Sequence, residues 1–146
     1  MSPDEFIAWL APTAQRICRK YELPVSVCIA QGALESGWGK YSIGQYNIFG
    51  RKWNGVGNYI KVQTEEFEDE QWQTNLSKFQ DYTNLDEAVE DWCILITEEQ
   101  RYSPCLEYRT EVERFLRILA PIYATDPQYA DKVLATIEAN NLEVYA

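Results

Sequence analysis

The sequence predicts an α+β domain dominated by helix, with one β-hairpin inserted between its second and third helices. Three observations carry this expectation. Apolar residues recur at helical spacing through most of the chain, one segment alone (58–82) alternates with period two, and capping signals precede the helical stretches.

Ser2-Pro3-Asp4-Glu5 reads as a capping box with proline at the first helical position, after which Phe6, Leu10, Ala14, Ile17 and Tyr21 form an amphipathic stripe. After Leu23-Pro24, Val25 to Leu34 is apolar nearly all round, as expected of a helix in the middle of a core, and it stops at Glu35-Ser36-Gly37. Residues 41–57 are rich in Gly, Asn and aromatics without a sustained period, which predicts an ordered surface loop. Ile60, Val62, Thr64 and Glu66 then share one strand face, and Lys61, Gln63 and Glu65 the other. A turn near Glu68-Asp69-Glu70 leads to a returning strand that begins with Trp72, Thr74 and Leu76. Asn84 and Glu87 are expected to cap a third helix whose buried face holds Leu85, Ala88, Val89, Trp92, Leu95 and Ile96. Thr110 and Glu113 are expected to cap a fourth, with Val112, Phe115, Leu116 and Leu119, that kinks or ends near Pro121. Asp126-Pro127 reads as the start of a last helix presenting Tyr129, Ala130, Val133, Leu134 and Ile137. No internal repeat or low-complexity segment interrupts this order.

With 146 residues, one domain spanning 1–146 is expected, large enough to bury roughly 70% of its unfolded surface. The 23 Asp and Glu against 13 Lys and Arg give a net charge of −10, which repels a phosphate backbone and an anionic membrane surface alike. No nucleic-acid partner is expected. Because the chain has no histidine, Ser-His-Asp and Cys-His catalysis and His-ligated zinc are excluded. The four cysteines (Cys18, Cys28, Cys93, Cys105) contain no C-x-x-C pair, which argues against any metal site. Three of them fall in apolar helical patterns, so burial as free thiols is favoured over two disulfides. No run of 18 apolar residues exists, and the N-terminus lacks the basic and apolar regions of a secretory signal. Neither membrane insertion nor an export address is expected, and the chain is expected to be a monomer.

Position separates the carboxylates. Most lie on exposed helix faces, whereas Glu35 ends an apolar helix beside Trp38 and the aromatic loop. A carboxyl partly desolvated by apolar neighbours favours its neutral form and can act as a general acid near neutral pH; the alternative is a helix-terminal Glu satisfied by hydrogen bonds. Glu66 is the second candidate, on a strand face with Ile60 and Val62. The alternative for it is a solvated acidic hairpin with Glu65, Glu68, Asp69 and Glu70. Two carboxylates flanking a cleft with aromatic walls are what glycoside hydrolysis needs. Trp38, Tyr46, Phe49, Trp53 and Tyr59 are dense enough to supply such walls, though each can equally be a core or rim residue. Lys40, Arg51, Lys52 and Lys61 cluster in the same stretch, to meet an anionic substrate or to balance the hairpin.

The residues Ala30-Gln31-Gly32-Ala33-Leu34-Glu35-Ser36-Gly37-Trp38-Gly39-Lys40 resemble the signature of the glucosaminidase family of cell-wall hydrolases, glycoside hydrolase family 73. The resemblance continues with Tyr46-Asn47-Ile48-Phe49-Gly50 and Lys52, with Thr64-Glu65-Glu66-Phe67, and with Tyr123-Ala124-Thr125-Asp126-Pro127-Gln128-Tyr129-Ala130. It spans Phe6 to Leu142. Two positions depart from the pattern: Tyr41 intervenes before Ser42, and Arg51 replaces a usually apolar residue.

The resemblance implies a lysozyme-like fold with a small β-lobe and a metal-independent, cofactor-free endo-β-N-acetylglucosaminidase. Such an enzyme cuts the β-1,4 bond from N-acetylglucosamine to N-acetylmuramic acid in peptidoglycan glycan strands, and so acts at the bacterial cell wall. It implies Glu35 as general acid and Glu66, the carboxylate before an aromatic, as the second catalytic group. Trp38, Tyr46, Asn47, Phe49 and Tyr129 would shape the substrate cleft. A lytic transglycosylase or muramidase on the same fold, and a glycan-binding module without turnover, are the rival readings. The hairpin Glu can serve as base for an inverting water or assist a route through the substrate's N-acetyl oxygen.

Overall fold

A computed structural model describes residues 1–146, apart from the side chain of Glu66. The chain runs α1 (Pro3–Lys20), α2 (Val25–Ser36), β1 (Tyr59–Glu68), β2 (Gln71–Gln80), α3 (Leu85–Glu98), α4 (Val112–Tyr123) and α5 (Tyr129–Ala139). Short 3-10 segments cover Gln100–Tyr108 and Leu142–Tyr145. The helix-dominated α+β architecture is the one the periodicity predicts.

The capping box of α1 is complete: Ser2 Oγ accepts the Glu5 N–H, and Glu5 Oε1 accepts the Ser2 N–H, both at 3.1 Å. Acidic residues in its first turn and Arg19 and Lys20 in its last complement the helix dipole. The helix also runs through Pro12, which removes the hydrogen bond to the carbonyl of Ala8. Both residues lie on the exposed face, where water solvates the freed carbonyl. Ten of the twelve residues of α2 are buried, as its all-round apolar pattern requires. Gly37 closes it in the left-handed region (φ 57°), and the Trp38 N–H reaches the Ala33 carbonyl at 2.8 Å. α2 packs against α1 on one side and α5 on the other, and α3 covers α1. One hydrophobic cluster results, with Phe6, Leu10, Ile29, Trp92, Tyr102 and Phe115 fully or nearly fully buried.

β1 and β2 pair antiparallel from Tyr59↔Gln80 to Glu68↔Gln71, leaving Asp69 and Glu70 as a two-residue turn with φ of 52° and 63°. Both positive angles match a type I′ hairpin turn, although neither residue is glycine. The rows Ile60, Val62, Thr64 and Asn75, Ser77, Phe79 are the more buried face, in agreement with the alternation read from sequence. The preceding loop joins this sheet: the Trp53 N–H donates to the Lys78 carbonyl, and the Gln80 N–H to that of Arg51, each at 3.0 Å.

Three element boundaries differ from expectation. Thr110 and Glu113 do not cap α4; Glu111 takes the N-cap without a side-chain bond, and Glu113 pairs instead with Arg117 at 3.6 Å. The 3-10 segment 100–108, which carries no strong period and was not expected, uses Arg109 and Thr110 in its closing turn and delays the helix. α4 then continues past Pro121 to Tyr123, because Pro121 and Arg117, whose carbonyl it frees, are both exposed. Asp126 does not cap α5 directly. Its Oδ1 accepts the Gln128 N–H at 2.9 Å in a local turn, and the helix begins at Tyr129. Asn84 caps α3 as expected, while Glu87 reaches back one residue further, to the Thr83 N–H at 3.0 Å. All four cysteines are buried free thiols, with Cys18 and Cys93 Sγ atoms 4.0 Å apart.

Candidate active site

Gln31 and Glu35 stand four residues apart on α2, hence on one stripe of the helix, with Gln31 a turn deeper in the core. Gln31 is fully buried, and its amide bridges two other elements. The Trp92 Nε1–H of α3 donates to Gln31 Oε1 at 2.9 Å, and Gln31 Nε2 donates to the Tyr129 hydroxyl of α5 at 3.1 Å. The Tyr129 hydroxyl in turn donates to Glu35 Oε1 at 2.9 Å. A polar chain thus runs from the middle of the core to the carboxyl at the end of α2. The Asp126 turn and the 2.6 Å ion pair of Asp126 with Lys132 fix how the chain turns into α5, and therefore where Tyr129 sits.

Glu35 opens onto a cleft of about 420 Å3 whose walls include Phe49, Gly50, Arg51, Tyr102 and Tyr123. Gly50 has φ 65°, and a Cβ placed there would stand 3.9 Å from Glu35 Oε2, so this glycine leaves the approach to Oε2 clear. Among the described residues, Oε2 has no hydrogen-bond partner. Burial raises the Glu35 pKa above its ordinary value of 4.5, and the Tyr129 hydrogen bond offsets part of the rise. Burial also holds the hydroxyls of Tyr123 and Tyr129 far above the phenol range, so both remain protonated donors at neutral pH. The two rings stack at 5.9 Å with 11° between planes, which fixes the wall beside the carboxyl. Larger concavities of about 510 and 710 Å3, both lined by Val112 and Glu143, do not include Glu35.

The residues singled out from sequence occupy different places. Tyr129 reaches Glu35 directly. Phe49 lines the cleft but is 3% exposed, its ring stacked on Trp92 at 5.9 Å. Asn47 is buried and fully committed: its Nδ2 donates to the carbonyls of Arg51 and Gln80 at 2.9 Å, and its Oδ1 accepts the Arg51 N–H at 3.0 Å. It holds the Gly50-Arg51 segment against β2. Trp38 sits edge-on to Phe6 at 5.8 Å, and Tyr46 packs half-buried on the core. Arg51, one of the two departures, pairs with Asp91 at 3.1 Å, and Tyr82 donates its hydroxyl to the same carboxylate. Its charge is thereby spent inside the cleft wall. On β1, position 66 pairs with Gln73 in the row of Val62 and Thr64; the expectation for the Glu66 carboxyl lies outside the described residues. Gln31 and Trp92 were read only as part of a motif and of a core face. The available signal was a lone amide in an otherwise apolar helix, one turn before Glu35. No group of three or more His, Cys, Asp or Glu side chains converges among the described residues as a metal site would require.

Comparison with known proteins identifies the family and the fold. Residues 11–142 match the glucosaminidase family, described as mannosyl-glycoprotein endo-beta-N-acetylglucosaminidase. The chain is 34% identical to the exo-glucosaminidase LytG of Bacillus subtilis, over 96% of this chain and 52% of that protein. It is also 34% identical to the peptidoglycan hydrolase FlgJ of Pseudomonas aeruginosa, over 90% of this chain and 35% of that one. The chain therefore spans about half or less of the length of these relatives. Among solved structures, the catalytic domain of the autolysin Auto from Listeria monocytogenes superposes with a TM-score of 0.87 at 31% identity, covering 99% of this chain and 87% of that one. The glycoside hydrolase domain of Salmonella typhimurium FlgJ, C-terminally truncated, gives 0.81 at 30% identity, covering 96% and 98%.

Proposed function

The chain belongs to the glucosaminidase family, and from that premise we propose that residues 1–146 form one peptidoglycan-hydrolase domain that cleaves the bond from N-acetylglucosamine to N-acetylmuramic acid within glycan strands. The observation that carries this reading is the state of Glu35. Its side chain is exposed at the end of α2 yet its carboxyl is partly desolvated, which moves its pKa upward; one oxygen is engaged by Tyr129, and the other opens onto the cleft past Gly50. In this mechanism Glu35 protonates the leaving glycosidic oxygen as positive charge develops at the anomeric carbon. Glu66 is the second carboxylate. A separation of about 6.5–9.5 Å between the two would leave room for an activated water, and one of about 5–5.5 Å would suit direct attack. Phe49, Tyr102 and Tyr123 contribute ring surface to a cleft wall that also carries Arg51, Arg101 and Thr125, while Asn47 acts through the loop it holds.

Digestion of purified peptidoglycan by wild type and by Glu35→Gln, followed by borohydride reduction and mass spectrometry of the new ends, tests the reading. Reduced N-acetylglucosamine from wild type alone is the expected result. A muramic or anhydromuramic end would reassign the bond specificity to a muramidase or lytic transglycosylase. No product from several wall types, with glycan binding retained, would make the domain a binding module.

A further inference from the structure

A buried amide must have its polarity set by its neighbours, and here the neighbours leave one arrangement. The Trp92 indole nitrogen only donates, so Gln31 must present Oε1 to it and Nε2 to Tyr129. An amide N–H cannot accept, so the phenolic proton of Tyr129 has no acceptor on the Gln31 side and points at Glu35 Oε1. A proton on that same Glu35 oxygen would take one of its lone pairs and make it the poorer acceptor for the phenolic hydrogen, since a carboxylic acid accepts best at its carbonyl oxygen. The acidic proton therefore belongs on Oε2, the oxygen beside Gly50 and the cleft. We propose that Gln31, pinned by Trp92, is a positioning residue that aims the Tyr129 hydroxyl at Glu35 Oε1 and so keeps the transferable proton of Glu35 on Oε2, a role that rests on Glu35 being the general acid.

On transfer, the Oε2–H bond breaks and the proton passes to the glycosidic oxygen. The bonding pair stays on Glu35, whose new negative charge strengthens the waiting Tyr129 hydrogen bond. The relay thus favours the product state of the acid without competing for its proton. Among the described residues, the other titratable groups lining the cleft are Tyr123 from α4, Arg51 from the loop, and Arg101 and Tyr102 from the 3-10 segment. Arg51 is paired with Asp91, and Arg101 with Glu99 at 2.8 Å.

Gln31→Glu keeps the shape and, where its carboxyl is ionised, reverses the polarity, because the carboxylate accepts from both Trp92 and Tyr129 and draws the phenolic proton away from Glu35. Titration of the Glu35 carboxyl carbon by NMR in 13C-glutamate-labelled protein reads the effect without turnover; the same titration reports the protonation of position 31, and the comparison is made over the pH range in which it is ionised. The expected result is a titration displaced to higher pH, a basic limb of the kcat profile displaced with it, and kcat lowered about tenfold or more at nearly constant KM. Repeating the substitution in a Tyr129→Phe background separates the relay from bare repulsion: the displacement there should fall to less than half. Equal displacement in both backgrounds, or none in either, overturns the proposal. Trp92→Phe removes only the pin and adds no charge, and covers the case in which Gln31→Glu does not fold. It should move the Glu35 titration in the same direction by less, and an unmoved titration there also overturns the proposal. Inactive wild type with the expected NMR behaviour would count against the hydrolase reading alone.

Discussion

Glu35 is held in two opposing environments, and its stability and activity consequences follow from both. Burial makes its charged form costly, while one hydrogen bond from Tyr129 returns part of that cost. A carboxyl whose folded pKa lies above its unfolded value of 4.5 binds more protons in the native state across that interval. Folding stability therefore falls as pH rises from about 4.5 through the raised pKa. Glu35→Gln should accordingly be more stable than wild type at pH 7 and lose that advantage below about pH 4, as read from urea midpoints at the two pH values. The same substitution should lower the rate of wall hydrolysis by about 10²–10⁴, the usual contribution of a positioned acid. A variant both more stable and nearly inactive would show strain kept at the site for function; one with unchanged stability at pH 7 would show that the carboxyl is not desolvated. At this scale the end of an apolar helix singled out Glu35 and the family resemblance singled out Tyr129, and the structure brings the two side chains together. It did not disclose that Asn47 and Trp38 are committed inward, because those commitments are made by residues far along the chain, such as Gln80 for Asn47.

The hairpin and the loop before it are the elements whose sequence and conformation agree least. Asp69 and Glu70 both take positive φ without glycine, and with Glu68 they place three carboxylates in a row. Glu70→Gly should relieve the backbone strain and one like charge, stabilising the hairpin by about 1 kcal/mol. Slower hydrogen exchange of the β1 and β2 amides would register this, and faster exchange would show that the turn is held by something other than its φ values. Asn47→Ala should act in the opposite sense. It leaves two part-buried carbonyls and one N–H without their partner, a loss of about 1–3 kcal/mol in denaturant unfolding, and frees the Gly50-Arg51 segment that borders Glu35, so activity falls as well. The elements were legible where period and capping coincide, as in α1 and α2. Boundaries failed where a competing local structure took the capping residue: the closing turn at Arg109 and Thr110 displaced the start of α4, and the Asp126 turn displaced that of α5. Pro12 and Pro121 pass through helices because their freed carbonyls face water, a fact that depends on which face is outside.

Over the whole molecule, the fold class was legible because one apolar helix, α2, organises the core and carries Glu35 at its end, so the signal for the fold and the signal for the candidate site share eleven residues, 30–40. The charge is a property of the same scale, with its own consequence. Under the proposed function, the domain at −10 meets a cell wall whose peptide stems and polymers are also anionic, and the long-range term is repulsive. Raising ionic strength from about 10 mM to about 150 mM shortens the screening length from about 30 Å to about 8 Å and should remove most of that repulsion. The initial rate of wall solubilisation at substrate below KM should therefore rise with salt over this range. On short uncharged chitooligosaccharides it should stay flat, since there is no charge to screen. A steep fall with salt on walls would instead assign substrate capture to a local cationic stretch, with Lys40, Lys52 and Lys61, clustered in sequence, as its members, acting against the charge of the whole.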